Sequence, residues 1–76
     1  MLYSLRNTLY FIKIKGKAKI PDYIQVRDET LALIAYFRAD HIENGLKQID
    51  IPDHNQTIKE FIQTLDYGKL TYLKLN

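Results

Sequence analysis

The chain has 76 residues, 46% of them apolar and 26% charged, with a net charge of +2 and no cysteine. That composition fits one small folded domain and excludes a disordered chain, a disulfide framework and a thiol nucleophile or thiolate ligand. No apolar run approaches the roughly 20 residues of a membrane span. The opening residues Met1-Leu2-Tyr3-Ser4-Leu5-Arg6 lack the basic start and apolar core of a signal peptide, so a soluble, cytoplasmic protein is expected.

Thr8 to Lys15 alternates. Thr8, Tyr10, Ile12 and Ile14 fall on one parity, and Leu9, Phe11, Lys13 and Lys15 on the other. Period and β-branched or aromatic content both point to a strand. One face is apolar throughout; the other begins apolar and ends charged. Gly16 either opens a tight turn with Lys17 or marks a bulge in a longer strand. Pro21-Asp22 is a second break, because proline cannot donate to a central ladder.

Tyr23 to Arg27 alternates again, and Asp28-Glu29 suggests a hairpin into the next run. That run, Thr30 to Arg38, is uncharged until its last residue and apolar on both parities. Such a pattern predicts a strand covered on both faces, and therefore the centre of the sheet. The rival assignment is one helix from Glu29 to Ile49. It spreads Leu31, Leu33, Ile34 and Phe37 around most of the wheel and leaves no polar stripe, so the strand is the better reading.

Helices are expected from Asp40. Asp40 and Glu43 have capping-box spacing, and Ile42, Leu46 and Ile49 make one stripe interrupted by Gly45. Pro52 ends this helix. A second is expected from Asp53 or Asn55 to Leu65, with Ile58, Phe61, Ile62 and Leu65 facing inward and Gly68 terminating it. Leu70 to Leu75 alternates as a last strand, and the two-helix connection is long enough to make it parallel to an earlier one. The predicted fold is α+β: a small, mostly antiparallel sheet of three N-terminal strands and one C-terminal strand, with two helices on one face, in a single domain over residues 1–76.

Catalytic constellations are scarce. There is no phosphate-binding glycine loop and no nucleophile elbow. Asp40-His41 and Asp53-His54, with Asp50, invite a metal or acid–base reading, but both pairs fall where helices begin and are better taken as capping residues. No enzyme activity, metal or cofactor is therefore expected. Lys13, Lys15, Lys17 and Lys19 share one parity; they line one face if the strand continues through Gly16 and cluster near one hairpin tip if the chain turns there, and with Tyr23 and Arg27 they form the candidate binding residues. Such a row can track phosphates beside a stacking aromatic, or simply keep a sheet face soluble. Charge is uneven: residues 1–38 carry +4 and residues 39–76 carry −2. Six tyrosines (Tyr3, Tyr10, Tyr23, Tyr36, Tyr67 and Tyr72) are many for this length, and tyrosine is enriched at interfaces. The first functional expectation is a non-enzymatic module that binds another protein or a second copy of itself. The alternative is binding of RNA or single-stranded DNA through the lysines.

Overall fold

The computed structural model describes residues 7–75. Alternating, β-rich segments form strands β1 (Thr8–Ile14), β2 (Tyr23–Arg27), β3 (Leu33–Arg38) and β4 (Thr71–Lys74). Between β3 and β4 lie helix α1 (Ile42–Ile49), a 3-10 turn (Pro52–His54) and helix α2 (Asn55–Ile62). The strands make one antiparallel sheet in the order β3-β2-β1-β4, and the fold is α+β.

The helices cover one face of the sheet. Leu9 and Phe11 of β1, Ile24 and Val26 of β2, and Ala35 and Phe37 of β3 are buried together with Leu46, Ile49, Ile58, Ile62 and Leu65. Ile42 and Phe61 pack against this core from its margin. The Phe61 ring meets Phe11 edge-on at 5.1 Å between centroids, a favoured aromatic geometry. Gly45 has a packing role: a Cβ there would run into the Phe37 ring. The missing side chain lets α1 lie close on β3.

Thr30–Arg38 is not the central strand. Its strand begins at Leu33 and forms a sheet edge, while β1 and β2 occupy the middle. Residues 28–32 are the hairpin loop, closed by Asp28 N donating to Ala32 O at 3.0 Å. Asp28 Oδ1 accepts from Thr30 N, Thr30 Oγ1 and Ala32 N, so an aspartate shapes a turn that lacks glycine. Apolarity on both parities signalled cover on both faces, but Leu31, Leu33 and Tyr36 are 53%, 49% and 50% exposed. The last strand runs antiparallel to β1, through pairs such as Leu9 with Leu73 and Tyr10 with Tyr72. The helical excursion carries the chain from the β3 edge across the sheet to the opposite edge beside β1, where β4 points the same way as β2.

The helix ends also differ from expectation. Asp40 makes no capping box. His41 occupies the N-cap without a side-chain cap bond, and Asp40 instead takes both ends of the Arg38 guanidinium. α1 stops at Asp50 in the left-handed region, before Pro52 acts. α2 ends at Ile62, with Gln63 as its right-handed C-cap. Gly68 has positive φ but lies in the later turn into β4, so it is not the helix terminator.

Candidate functional site

Leu9 and Phe11 point into the core, so alternation turns Thr8, Tyr10, Ile12 and Ile14 to the opposite face. The same rule turns Tyr23, Gln25 and Arg27 of β2 outward there, with Tyr36 and Arg38 of β3 and Tyr72 and Lys74 of β4. A register shift between Val26 and Arg27 pairs Arg27 with Leu33, adding that leucine to the face. Cross-strand register orders the face into rows. Leu33, Arg27, Tyr10 and Tyr72 form one, Tyr36, Gln25 and Ile12 the next, and Arg38, Tyr23 and Ile14 the third. No helix covers it.

Four tyrosines dominate this surface. Tyr23 and Tyr36 stack diagonally at 4.9 Å with 28° between ring planes. Tyr10 and Tyr72 meet at 6.2 Å. Two arginines are held in fixed poses: Arg27 donates to Leu31 O at 3.0 Å, and Arg38 forks onto Asp40 at 3.0 and 2.8 Å. The pairing holds the Asp40 carboxyl below its ordinary range and raises Arg38. No strand position on the face carries a carboxylate.

The lysines do not form a row along this face. β1 ends at Ile14, and the chain turns between residues 15 and 22, with Ile20 N donating to Lys17 O at 2.8 Å. Lys13 and Lys15 share the parity of Leu9 and Phe11, so they lie on the helix side, beyond the helices. Their ammonium groups sit 4.6 and 4.7 Å from the Tyr67 ring centroid, a cation–π arrangement. Lys17 and Lys19 are exposed in the loop. Of the candidate residues, only Tyr23 and Arg27 reach the open face.

The end of the sheet around Tyr67 is locked rather than open. The Tyr67 hydroxyl donates to Asp22 Oδ2 at 2.6 Å, and Gly16 N donates to Asp22 Oδ1 at 2.8 Å. Gly68 N donates to Lys13 O at 2.7 Å. The Tyr67 bond, then the Gly16 bond, hold the Asp22 carboxyl below its usual value, and the same contact raises Tyr67. Gly16 is required here, because a Cβ would collide with the Ile20 carbonyl.

His41 lies 3.8 Å from Asp40. Among the described residues no group of three His, Cys, Asp or Glu side chains is placed to hold a metal, and no helix is long and apolar enough to cross a membrane. A shallow recess of about 230 Å³ between the helices is lined by Glu43, Leu46, Lys47, Asp50, Pro52 and Asn55. No protein-family model, curated protein or solved structure matches the chain.

Tyr10, Ile12, Ile14, Leu33, Tyr36 and Tyr72 are the face residues that site reasoning from sequence missed. The signal was present. β1 and β3 are apolar on both parities, yet two short helices can cover only one side of a sheet. The surplus apolar parity had to face outward.

Proposed function

We propose that the protein is a non-enzymatic module that binds another protein through the open face of its sheet. The observation that carries this reading is the composition of that face: four tyrosines, two arginines and three aliphatic side chains, with one lysine and no carboxylate. Aromatic residues and arginine are enriched at interface cores, where Lys, Glu and Asp are depleted. Tyrosine and arginine are also frequent hot-spot residues.

Charge separates this reading from two others. Arg38 is already neutralised by Asp40, so the face offers little positive charge for tracking a phosphate backbone. The lysines proposed to do so lie elsewhere, and the one tyrosine beside them already carries two ammonium groups. Two copies meeting face to face would cover Arg27 and Lys74 with strand positions that carry no carboxylate, which favours a different protein over self-association.

The test is affinity capture from the native extract, with and without nuclease, using wild type and Tyr36→Ser. A protein retained by wild type through nuclease treatment, and reduced at least tenfold by Tyr36→Ser, supports the reading. Retained nucleic acid, or protein lost on nuclease treatment, overturns it in favour of RNA or single-stranded DNA binding.

A further inference from the structure

The two edges of the sheet are not alike. Ala39 N donates to Asp22 O, so Phe37 and Ala35 turn their amides toward β2, and Tyr36 turns its amide out of the sheet. That outward amide is taken: it donates to Gln48 Oε1 of α1 at 2.8 Å. At the other edge Leu75 N donates to Asn7 O at 2.7 Å. Leu73 and Thr71 therefore point their amides toward β1, and Tyr72 and Lys74 point theirs outward. Neither outward amide has an acceptor among the described residues.

We infer that β4 is a docking edge, where an extended, acidic segment of another protein adds as a fifth strand. Charge and apolar surface choose the occupant. Lys69 and Lys74 stand exposed at the two ends of the edge, in no ion pair among the described residues, and residues 67–75 include no acid. Leu70 and Tyr72, 57% and 60% exposed, lie between them. A fifth strand would bond the Tyr72 and Lys74 backbone. It would lay apolar side chains beside Tyr72 and Leu70 and place carboxylates near Lys69 and Lys74, about 16 Å apart along the strand. A second copy pairing β4 to β4 would bring four lysines together with no acid, so like charge disfavours it. The inference shares Tyr72 and Lys74 with the open face and, like the proposed function, takes the partner to be a protein, but it does not rest on the composition of that face. Its own support is the backbone of β4 and the charges around it.

The experiment titrates the 15N-labelled protein with the peptide Glu-Thr-Val-Thr-Val-Glu, whose carboxylates have the same five-residue spacing as Lys69 and Lys74, and with its counterpart ending in Lys at both ends, in 150 mM salt. The expected result is amide shifts centred on Tyr72 and Lys74 and at least tenfold tighter binding of the acidic peptide. Tyr72→Pro removes an outward amide without touching the β1–β4 ladder, so it should abolish binding and keep a folded spectrum. If that variant unfolds, Lys69→Glu/Lys74→Glu serves instead and should reverse the preference between the peptides. No shift at Tyr72 and Lys74 up to 1 mM peptide, equal binding of both peptides, or the same shifts on raising protein concentration alone would overturn the inference. A loss of extract capture in Tyr36→Ser alongside a silent β4 would leave the face reading standing and remove only this one.

Discussion

Leu31 has φ of +66° and Ala18 +55°, in the left-handed region that disfavours a Cβ. At Leu31 the exposed side chain recovers little by burial, so the loop keeps a strained leucine where glycine would be relaxed. Leu31→Gly should therefore raise stability by about 1 kcal/mol, less than the full strain because glycine also widens the unfolded ensemble. An unchanged or lower urea midpoint would contradict that assignment. Gly45 is the reverse case. Helix propensity alone favours alanine by about 1 kcal/mol, but the added methyl strikes Phe37, which is 2% exposed and has nowhere to move. Gly45→Ala should destabilise by roughly 1–2 kcal/mol, since overpacking typically costs 1–3. Urea unfolding of the variant checks it. The Asp22 lock has a defined pH sign. Its folded carboxyl titrates below the ordinary 3.8, so its contribution is present above that value and is lost as pH falls through the lowered one. Asp22→Asn should flatten the acid limb of the stability profile, with little change in its shape near neutral pH.

Elements were legible in the sequence where burial enforces a period, and less so at their ends and in their order. β1, β2 and the inward stripes of both helices follow directly from apolar spacing at Leu9, Phe11, Ile24, Val26, Leu46, Ile58 and Ile62. Helix caps were misread because Asp40 had a stronger partner in Arg38, two residues earlier, than any backbone amide. β3 was misplaced because apolar residues on both parities look the same whether a second layer or a partner protein is meant to cover them. Of the two courses open to the lysine series, the turn at Gly16 is the one taken, which parity could not decide because it says nothing about where a strand stops. At the element scale the decisive contact is Phe61 of α2 against Phe11 of β1. Phe61 lies at the core margin, yet its ring closes the helix onto the central strand. Phe61→Ala should cost about 3 kcal/mol, the low end of the range for buried phenylalanine. A variant with an unaltered, cooperative melt would show that α2 is held by Ile58 and Ile62 alone.

The whole molecule is layered by charge as well as by burial. Residues 39–68, which hold both helices, carry six acids against two lysines, while the strands and the β1–β2 loop hold most of the bases. The acids are thus concentrated in the helix layer, while among the described bases Arg27, Arg38 and Lys74 lie at strand positions of the open face. Under the reading proposed above, Arg27 and Lys74 beside the exposed tyrosines, with no carboxylate at any strand position of the face, would favour an electronegative protein there. Site-specific photocrosslinking in the native cell tests that claim most directly, with the crosslinking residue placed at Tyr36 on the open face or at Glu60 on α2. The expected result is a discrete protein adduct from Tyr36, stable to nuclease, and none from Glu60. An adduct from Glu60 with none from Tyr36, or a Tyr36 adduct removed by nuclease, would contradict it.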